Sequence, residues 1–144
     1  MKIALGTDHA GYAAKEVVKA YLEGRGIEVL DFGAFSDERS DYPDFVRPAA
    51  EAVAKGEADG GIVFGGSGNG EGMVANKVKG IRCGVVWNVE SARLTKLHND
   101  ANCIAVGGRM IPHGELSLVV GAWLDTSFEG GRHIGRLEKI HAAE

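Results

Sequence analysis

Apolar and polar residues alternate along this chain with two different periods, which predict strands and helices in turn. Five short apolar runs are typical of buried strands: residues 2–7, 27–31, 61–64, 82–87 and 102–106. Apolar residues at three- and four-residue spacing, such as Ala14, Val18 and Leu22, are typical of helices. We expect these helices over residues 11–24, 42–55, 71–80, 90–98, 116–124 and 132–141. This alternation predicts an α/β fold, in which helices cover both faces of a five-stranded parallel sheet.

Ligands of an open parallel sheet bind beyond the carboxyl ends of its strands. The segments that follow the predicted strands are therefore the first place to expect chemistry. They are residues 7–11, 65–70, 87–90 and 107–109, and they contain many of the polar and glycine residues that a simple turn does not need.

Composition narrows the class of protein further. The chain has 144 residues, which we expect to form one domain over 1–144, and its formal net charge is −4. This negative net charge is unlike the strongly basic composition that is typical of a general nucleic-acid-binding protein. No apolar run approaches the ~20 residues of a membrane span, and no signal peptide is visible. Cys83 and Cys103 lack the spacing of metal-binding or redox-active cysteines, so we expect them to be reduced core residues of a cytoplasmic protein. From the net charge and the short apolar runs we expect neither a nucleic-acid partner nor a membrane partner.

The strongest local motif is the glycine-rich loop at residues 65–70, which has four glycines in six positions just before a predicted helix. Backbone N–H groups in such a loop converge on one point, and the helix N-terminus adds partial positive charge. We therefore expect an anion or oxyanion site, although glycines also permit a plain tight turn. The spacing fits neither the dinucleotide fingerprint nor the phosphate loop of nucleotide hydrolases.

Several charged residues flank these loops. Glu71 follows the glycines, where a general base would lie beside an oxyanion site, but an acidic residue is also common in a first helical turn. His9 and His98 are candidate proton donors or ordinary structural histidines, and the five histidines show no metal-ligand spacing, so we expect no metal site. Arg132 and Arg136 share one helical face, which suits either a phosphate or a solvated surface.

Taken together, these motifs resemble the ribose-5-phosphate isomerase type B family, which includes galactose-6-phosphate isomerase subunits. The matching segments run in order along nearly the whole chain: residues 8–11, 41–43, 66–71, 75–77, 98–100, 107–109 and 132–136. The resemblance implies a Rossmann-like three-layer sandwich and a homodimer or dimer of dimers with active sites shared between subunits. It also implies isomerisation of aldose and ketose phosphates through ring opening and an enediolate, without metal or cofactor.

The resemblance assigns roles to individual residues. One branch of the family has a cysteine base where this chain has Gly65, so the chain is similar to the other branch, with Glu71 as base. His98 and Asp8 would open the sugar ring, and Ser67 would support proton movement. The enediolate would be held by Asn99 and the backbone of Gly66, Ser67, Gly68, Asn69 and Gly70. The phosphate would be held by His9, Arg109, Arg132 and Arg136, and Tyr42 would line the sugar pocket.

Two questions stay open at the level of sequence. Ribose 5-phosphate and ribulose 5-phosphate are the expected substrates, but four-carbon erythrulose 4-phosphate and six-carbon allose or galactose 6-phosphate share the same reactive features. A non-catalytic module that binds a sugar phosphate or nucleotide is the alternative class. Leu116, Val119 and Trp123 predict an apolar helix face, which would suit a subunit interface or packing within the chain.

Overall fold

The computed structural model describes all residues from Met1 to Glu144. Its strands are β1 (Lys2–Thr7), β2 (Glu28–Asp31), β3 (Gly60–Gly65), β4 (Cys83–Val86) and β5 (Cys103–Gly107). Its α-helices are α1 (Tyr12–Gly24), α2 (Pro43–Ala54), α3 (Asn69–Asn76), α4 (Val89–Asn99), α5 (Leu116–Asp125) and α6 (His133–Ala142), with a short 3₁₀ turn at His113–Glu115. Every predicted element is present in the predicted order. None of the helices is both long and apolar enough to cross a membrane.

The five strands form one parallel sheet in the order β2-β1-β3-β5-β4, with helices on both faces. Successive strand residues point to opposite faces. Ile62 and Phe64 therefore pack into a core with α1, α4 and α5, whereas Val63 packs into a second core with α2 and α3. Because both faces are covered, the strands read as continuous apolar runs, and the expected three-layer sandwich is confirmed.

The apolar face of α5 belongs to the chain's own core. Leu116, Val119 and Trp123 are almost fully buried, and the Trp123 indole N–H donates a 2.8 Å hydrogen bond to the carbonyl of Ala101. Of the two alternatives for this face, the structure shows packing within the chain, because α5 packs against α1 and α4. The thiol groups fit the expectation: both cysteines are unpaired, and burial raises the pKa of Cys103 to about 12.

A buried ion pair joins α1 to the end of β2. Lys15 is fully buried, and its Nζ donates 2.8 Å hydrogen bonds to both carboxylate oxygens of Asp31 and to the carbonyl oxygen of Ala34. Burial alone would raise the pKa of Asp31, but hydrogen bonds from Lys15 and the Gly33 N–H, with the lysine's charge, outweigh it and lower the pKa. This ion pair fixes the start of the long loop after β2. No pattern in the sequence predicts it.

That loop is also tied to the end of β1. The N–H of Thr7 donates to the carbonyl of Gly33 at 2.7 Å, and the N–H of Ala34 donates to the carbonyl of Thr7 at 2.8 Å. Further along, the N–H of Ser40 donates to Nδ1 of His9 at 3.2 Å. The loop is therefore held beside β1 along its length, and it delivers Tyr42 to the carboxyl edge of the sheet.

Replacing Lys15 by Met leaves the Asp31 carboxylate half-buried without its main partner. Removal of one member of a buried pair typically costs about 3–5 kcal/mol, and the remaining Lys19 contact at 3.2 Å places this case near the lower end. We expect a loss of about 3 kcal/mol in the free energy of unfolding, measured by urea denaturation. Exposed Lys139→Met is the matched control and should change stability little. Equal stability of the two variants would contradict this account of the pair.

Candidate active site

The glycine loop lies at the carboxyl edge of the sheet, between the segments that follow β1 and β5. The N–H of Gly108 donates to the carbonyl of Gly65 at 2.7 Å, and the N–H of Arg109 donates to the carbonyl of Gly66 at 3.1 Å. These bonds continue the pairing of β3 with β5 beyond the strands. The loop is therefore fixed by backbone contacts on its β5 side before any ligand binds.

Two of the glycines in this region are required by the backbone, one for its conformation and the other for the close approach of a carbonyl group. Gly68 has φ of +86°, a left-handed conformation that L side chains rarely adopt, and it precedes the first residue of α3. A Cβ at Gly107 would stand 2.6 Å from the carbonyl oxygen of Ser67. The Ser67 hydroxyl accepts a 3.2 Å hydrogen bond from the N–H of Asn69, the first residue of α3. The loop thus turns directly into a helix N-terminus.

The carboxyl group of Glu71 occupies the space beside the α-carbon of Gly65. A Cβ at residue 65 would overlap the Glu71 carboxyl group and would stand 2.6 Å from even its more distant oxygen. Glu71 is only 4% exposed. A side chain at residue 65 and the Glu71 carboxyl group in this position therefore exclude each other.

The surroundings of Glu71 favour its neutral form. Burial is the main reason that its pKa is raised, and the negative charge of Asp8 raises it further. The backbone N–H groups of Glu71 and Gly68 act in the opposite direction and only partly offset the burial. A carboxyl group whose pKa is moved toward neutrality is better matched to taking up and returning a proton.

Asp8, which follows β1, is the charged neighbour that acts on the Glu71 carboxyl group. Asp8 is buried, and its Oδ1 accepts hydrogen bonds from the N–H groups of Ala10 and Gly11, at 2.9 and 3.2 Å. Its negative charge is therefore fixed at the end of β1, close enough to act on Glu71.

Tyr42 and Arg109 close the sides of the loop. The Tyr42 ring packs on Gly70 so closely that a Cβ there would stand 2.6 Å from the phenol oxygen. The Arg109 side chain lies beside Gly66, where a Cβ would be 3.6 Å from its Nη1. The structure thus brings together Asp8, Tyr42, the glycine loop, Glu71 and Arg109, whereas the ring of His9 contacts the backbone of Ser40.

The other predicted site residues lie at the opposite edge of the sheet. His98 and Asn99 end α4, and the carbonyl of Asn99 accepts a 3.1 Å hydrogen bond from Arg82, just before β4 begins. The His98 ring stacks on His133 at the start of α6, with 4.7 Å between ring centroids, and Arg132 and Arg136 belong to the same helix start. Six residues of β3 span about 20 Å, so these four residues cannot reach the glycine loop of their own chain. Asp8 and His98, which are expected to act together in ring opening, therefore lie at opposite edges of the sheet in one chain.

Of the three main cavities, one of about 320 Å³ lies between α4 and α5, and the other two follow the outer strand β4. The larger, about 670 Å³, is lined by residues that include Lys77, Arg82 and Asn99. The second, about 310 Å³, runs along β4 and α4 from Trp87 to His98 and Asn99. None of these three cavities is lined by residues of the glycine loop.

Comparison with known proteins agrees with this fold and loop arrangement. The family model described as "Ribose/Galactose Isomerase" matches residues 3–140, so this chain belongs to the ribose/galactose isomerase family. It is 46% identical to the Escherichia coli (strain K12) protein named ribose-5-phosphate isomerase B, over 99% of this chain and 96% of the relative.

Two solved structures show the same similarity. Clostridium thermocellum ribose-5-phosphate isomerase B is 46% identical, with a TM-score of 0.98 over 99% of this chain and 97% of that one. The ribose-5-phosphate isomerase B of Mycoplasma genitalium, solved with bound ribulose-5-phosphate, is 35% identical with a TM-score of 0.94, over 99% and 95% of the two chains.

Replacing Glu71 by Gln should stabilise the fold at neutral pH. Because the pKa of Glu71 is higher in the folded protein, its ionisation disfavours folding above the unfolded-state pKa of about 4.3. The variant should therefore have the larger free energy of unfolding at pH 7.5, and the advantage should shrink as the pH falls through the folded pKa. Urea denaturation at pH 7.5 and pH 5 measures this, with exposed Glu57→Gln as control. A less stable Glu71→Gln protein at pH 7.5 would show that the carboxylate is not strained by burial.

Proposed function

We propose that the protein interconverts ribose 5-phosphate and ribulose 5-phosphate, as an aldose–ketose isomerase that needs neither metal nor cofactor. The observation that carries this proposal is the buried Glu71 carboxylate, held against Gly65 at the mouth of the glycine loop. A module that only bound an anion would lose affinity through this negative charge. The activity named for the Escherichia coli relative and the ribulose-5-phosphate bound to the Mycoplasma genitalium protein support the choice of substrate.

In this reaction Glu71 moves a proton between two neighbouring carbons. Its carboxylate removes the proton from C2 of the open-chain aldose, and the electron pair of the broken C–H bond forms the enediolate. The same carboxyl group then returns the proton to C1, which gives the ketose. The raised pKa of Glu71 favours both halves of the step, since the group must hold the proton briefly and then release it.

The glycine loop stabilises the negative charge that develops on the sugar oxygens. The N–H groups at the start of α3 point toward this position, and Ser67 adds an exposed hydroxyl that can exchange a proton with an enediolate oxygen. Loss of a single donor from such a site typically costs about 3–4 kcal/mol of transition-state stabilisation. We assign this role to the backbone of Gly66, Ser67, Gly68, Asn69 and Gly70, together with Asn99.

The remaining roles require a second copy of the chain. We assign ring opening to His98 with Asp8, and phosphate binding to Arg132 and Arg136 with Arg109 and His9, while Tyr42 lines the sugar pocket. The sheet separates these residues into two groups about 20 Å apart in one chain. We therefore propose a homodimer, alone or paired into a dimer of dimers, in which the loop of one copy faces His98, Asn99, Arg132 and Arg136 of the other.

The surface around the loop supports this arrangement. Met73, Trp87 and Met110 are each about two-thirds exposed, and all three lie near the carboxyl edge of the sheet. Large apolar side chains grouped on a surface are typical of a contact with another protein. Arg132 is also largely exposed at the start of α6, so its guanidinium is free to reach beyond its own chain.

The direct test is an isomerase assay of the EDTA-treated protein with ribose 5-phosphate, erythrulose 4-phosphate and allose 6-phosphate. We expect turnover of ribose 5-phosphate that survives chelation. Glu71→Gln should lower kcat by at least about 10³-fold with little change in KM, because the proton acceptor is lost and the contacts to the phosphate remain.

Gly65→Ala is the sharper variant for the same prediction. It keeps Glu71 in the sequence but forces its carboxyl group to move, so kcat should fall by about 10²-fold or more. Gly24→Ala is the matched control, since a Cβ there meets no atom within 4 Å, and it should retain activity. Preference for another sugar would change the substrate, whereas normal kcat in Gly65→Ala and Glu71→Gln would remove Glu71 from the role of base.

Sharing of the active site between copies predicts complementation. Glu71→Gln and His98→Gln should each be nearly inactive alone. When the two are co-expressed in equal amounts, half of the dimers are mixed and each mixed dimer has one intact site, so activity should return to about a quarter of the wild-type value. Absence of any recovery, with mixed dimers shown by mass spectrometry, would place both residues in the same single-chain site.

A further inference from the structure

A cluster of three potential metal ligands lies where α4 meets α6, away from the glycine loop. It consists of His98, Glu129 and His133, whose ligand atoms all lie within 4.8 Å of one another. Oε2 of Glu129 is 3.5 Å from Nε2 of His133 and 3.9 Å from Nε2 of His98. These residues are separated by 31 and 4 positions along the sequence, so no spacing motif predicts the cluster.

The imidazole of His133 gives an independent reason to expect a ligand here. His133 is 5% exposed, and its Nε2 is buried without a hydrogen-bond partner. Leaving a buried polar atom unsatisfied typically costs about 1–3 kcal/mol, so such an atom in a folded protein calls for a partner. The atom lies 3.5 Å from Oε2 of Glu129, with which it pairs only when the imidazole is protonated, and it has no hydrogen bond.

The backbone holds the three side chains together without a metal. The N–H of Glu129 donates to the carbonyl of Leu97 at 3.0 Å, which anchors the segment before α6 to the last turn of α4. The His98 and His133 rings stack with an interplanar angle of 22°. The backbone therefore already holds these segments next to each other, and binding of one ion requires an imidazole to rotate out of the stack so that both ring nitrogens point at the ion.

We propose that His98, Glu129 and His133 bind one divalent transition-metal ion of the Zn²⁺ type. Two imidazole nitrogens and one carboxylate oxygen are a usual zinc donor set, with the fourth position left to water, and nitrogen donors disfavour Mg²⁺ and Ca²⁺. The ion would replace Arg132 as the cationic neighbour of Glu129, whose Oε1 is 3.6 Å from Nη1 of Arg132. Binding would be local and would not need the glycine loop.

Occupancy of this site has a consequence for activity, which rests on the proposed function. A metal on Nε2 of His98 prevents that nitrogen from carrying a proton and holds the ring in place, whereas ring opening requires His98 as a proton donor. The enzyme that needs no metal would therefore be reversibly inhibited by Zn²⁺, and inhibition would be relieved by a chelator.

The test measures binding separately from activity. Co²⁺ is titrated into the EDTA-treated, dialysed protein while the visible absorption of tetrahedral cobalt is recorded, and Zn²⁺ affinity is measured by competition with a chromophoric chelator. We expect one ion per chain, with affinity weakened at least tenfold in Glu129→Gln and in His133→Asn. His141→Gln is the matched control, because His141 also contacts an acidic residue, Glu144, but lies outside the cluster, and it should bind like the wild type.

Absence of saturable binding by the wild type, or unchanged affinity in Glu129→Gln, would overturn the metal site. In the activity arm, Glu129→Gln should keep basal turnover and need at least tenfold more Zn²⁺ for half-inhibition. Binding without inhibition would confirm the site and overturn its effect on His98. If the protein lacked isomerase activity altogether, the cobalt spectra and Zn²⁺ affinities would still decide the metal site, so the two proposals fail separately.

Discussion

The contact between the Glu71 carboxyl group and the α-carbon of Gly65 is the constraint on which the candidate site depends. Burial in this space moves the pKa of the carboxyl toward neutrality, and it places the group at the start of α3 beside the converging N–H groups. The same contact makes the site intolerant of any side chain at residue 65. Ionisation of Glu71 lowers the free energy of unfolding, because its carboxylate is buried without a cationic partner.

The parallel sheet imposes the second constraint. Its loops gather Asp8, Tyr42, Glu71 and Arg109 at the carboxyl edge, while α4 and α6 carry His98 and Arg132 to the amino edge. A twofold arrangement of identical chains can bring opposite edges together, since each copy then supplies what the other lacks. The hydrogen bonds of Lys15 to Asp31, and the backbone bonds between the β2 loop and β1, fix the start of the loop that leads to Tyr42 at this edge.

Much of this was predictable from the sequence, because it depends on local pattern. Buried parallel strands read as apolar runs, and a glycine-rich loop followed by an acidic residue marks a helix start near an anion site. The rest depends on distances across the fold. A lysine within an amphipathic helix gives no sign that it will meet Asp31, and α5 looks the same whether it packs on its own chain or on another. The meeting of His98 with Glu129 likewise arises only from the packing of α6 on α4.

In the proposed homodimer, one active site is built around Glu71 of one copy and His98 of another. A crystal structure of the protein soaked with ribulose 5-phosphate tests this arrangement directly. We expect C1 and C2 of the sugar within about 3.5 Å of the Glu71 carboxylate, and the phosphate against Arg132 and Arg136 of the second copy. A sugar phosphate held wholly by one chain, or bound with its carbonyl end away from Glu71, would contradict it.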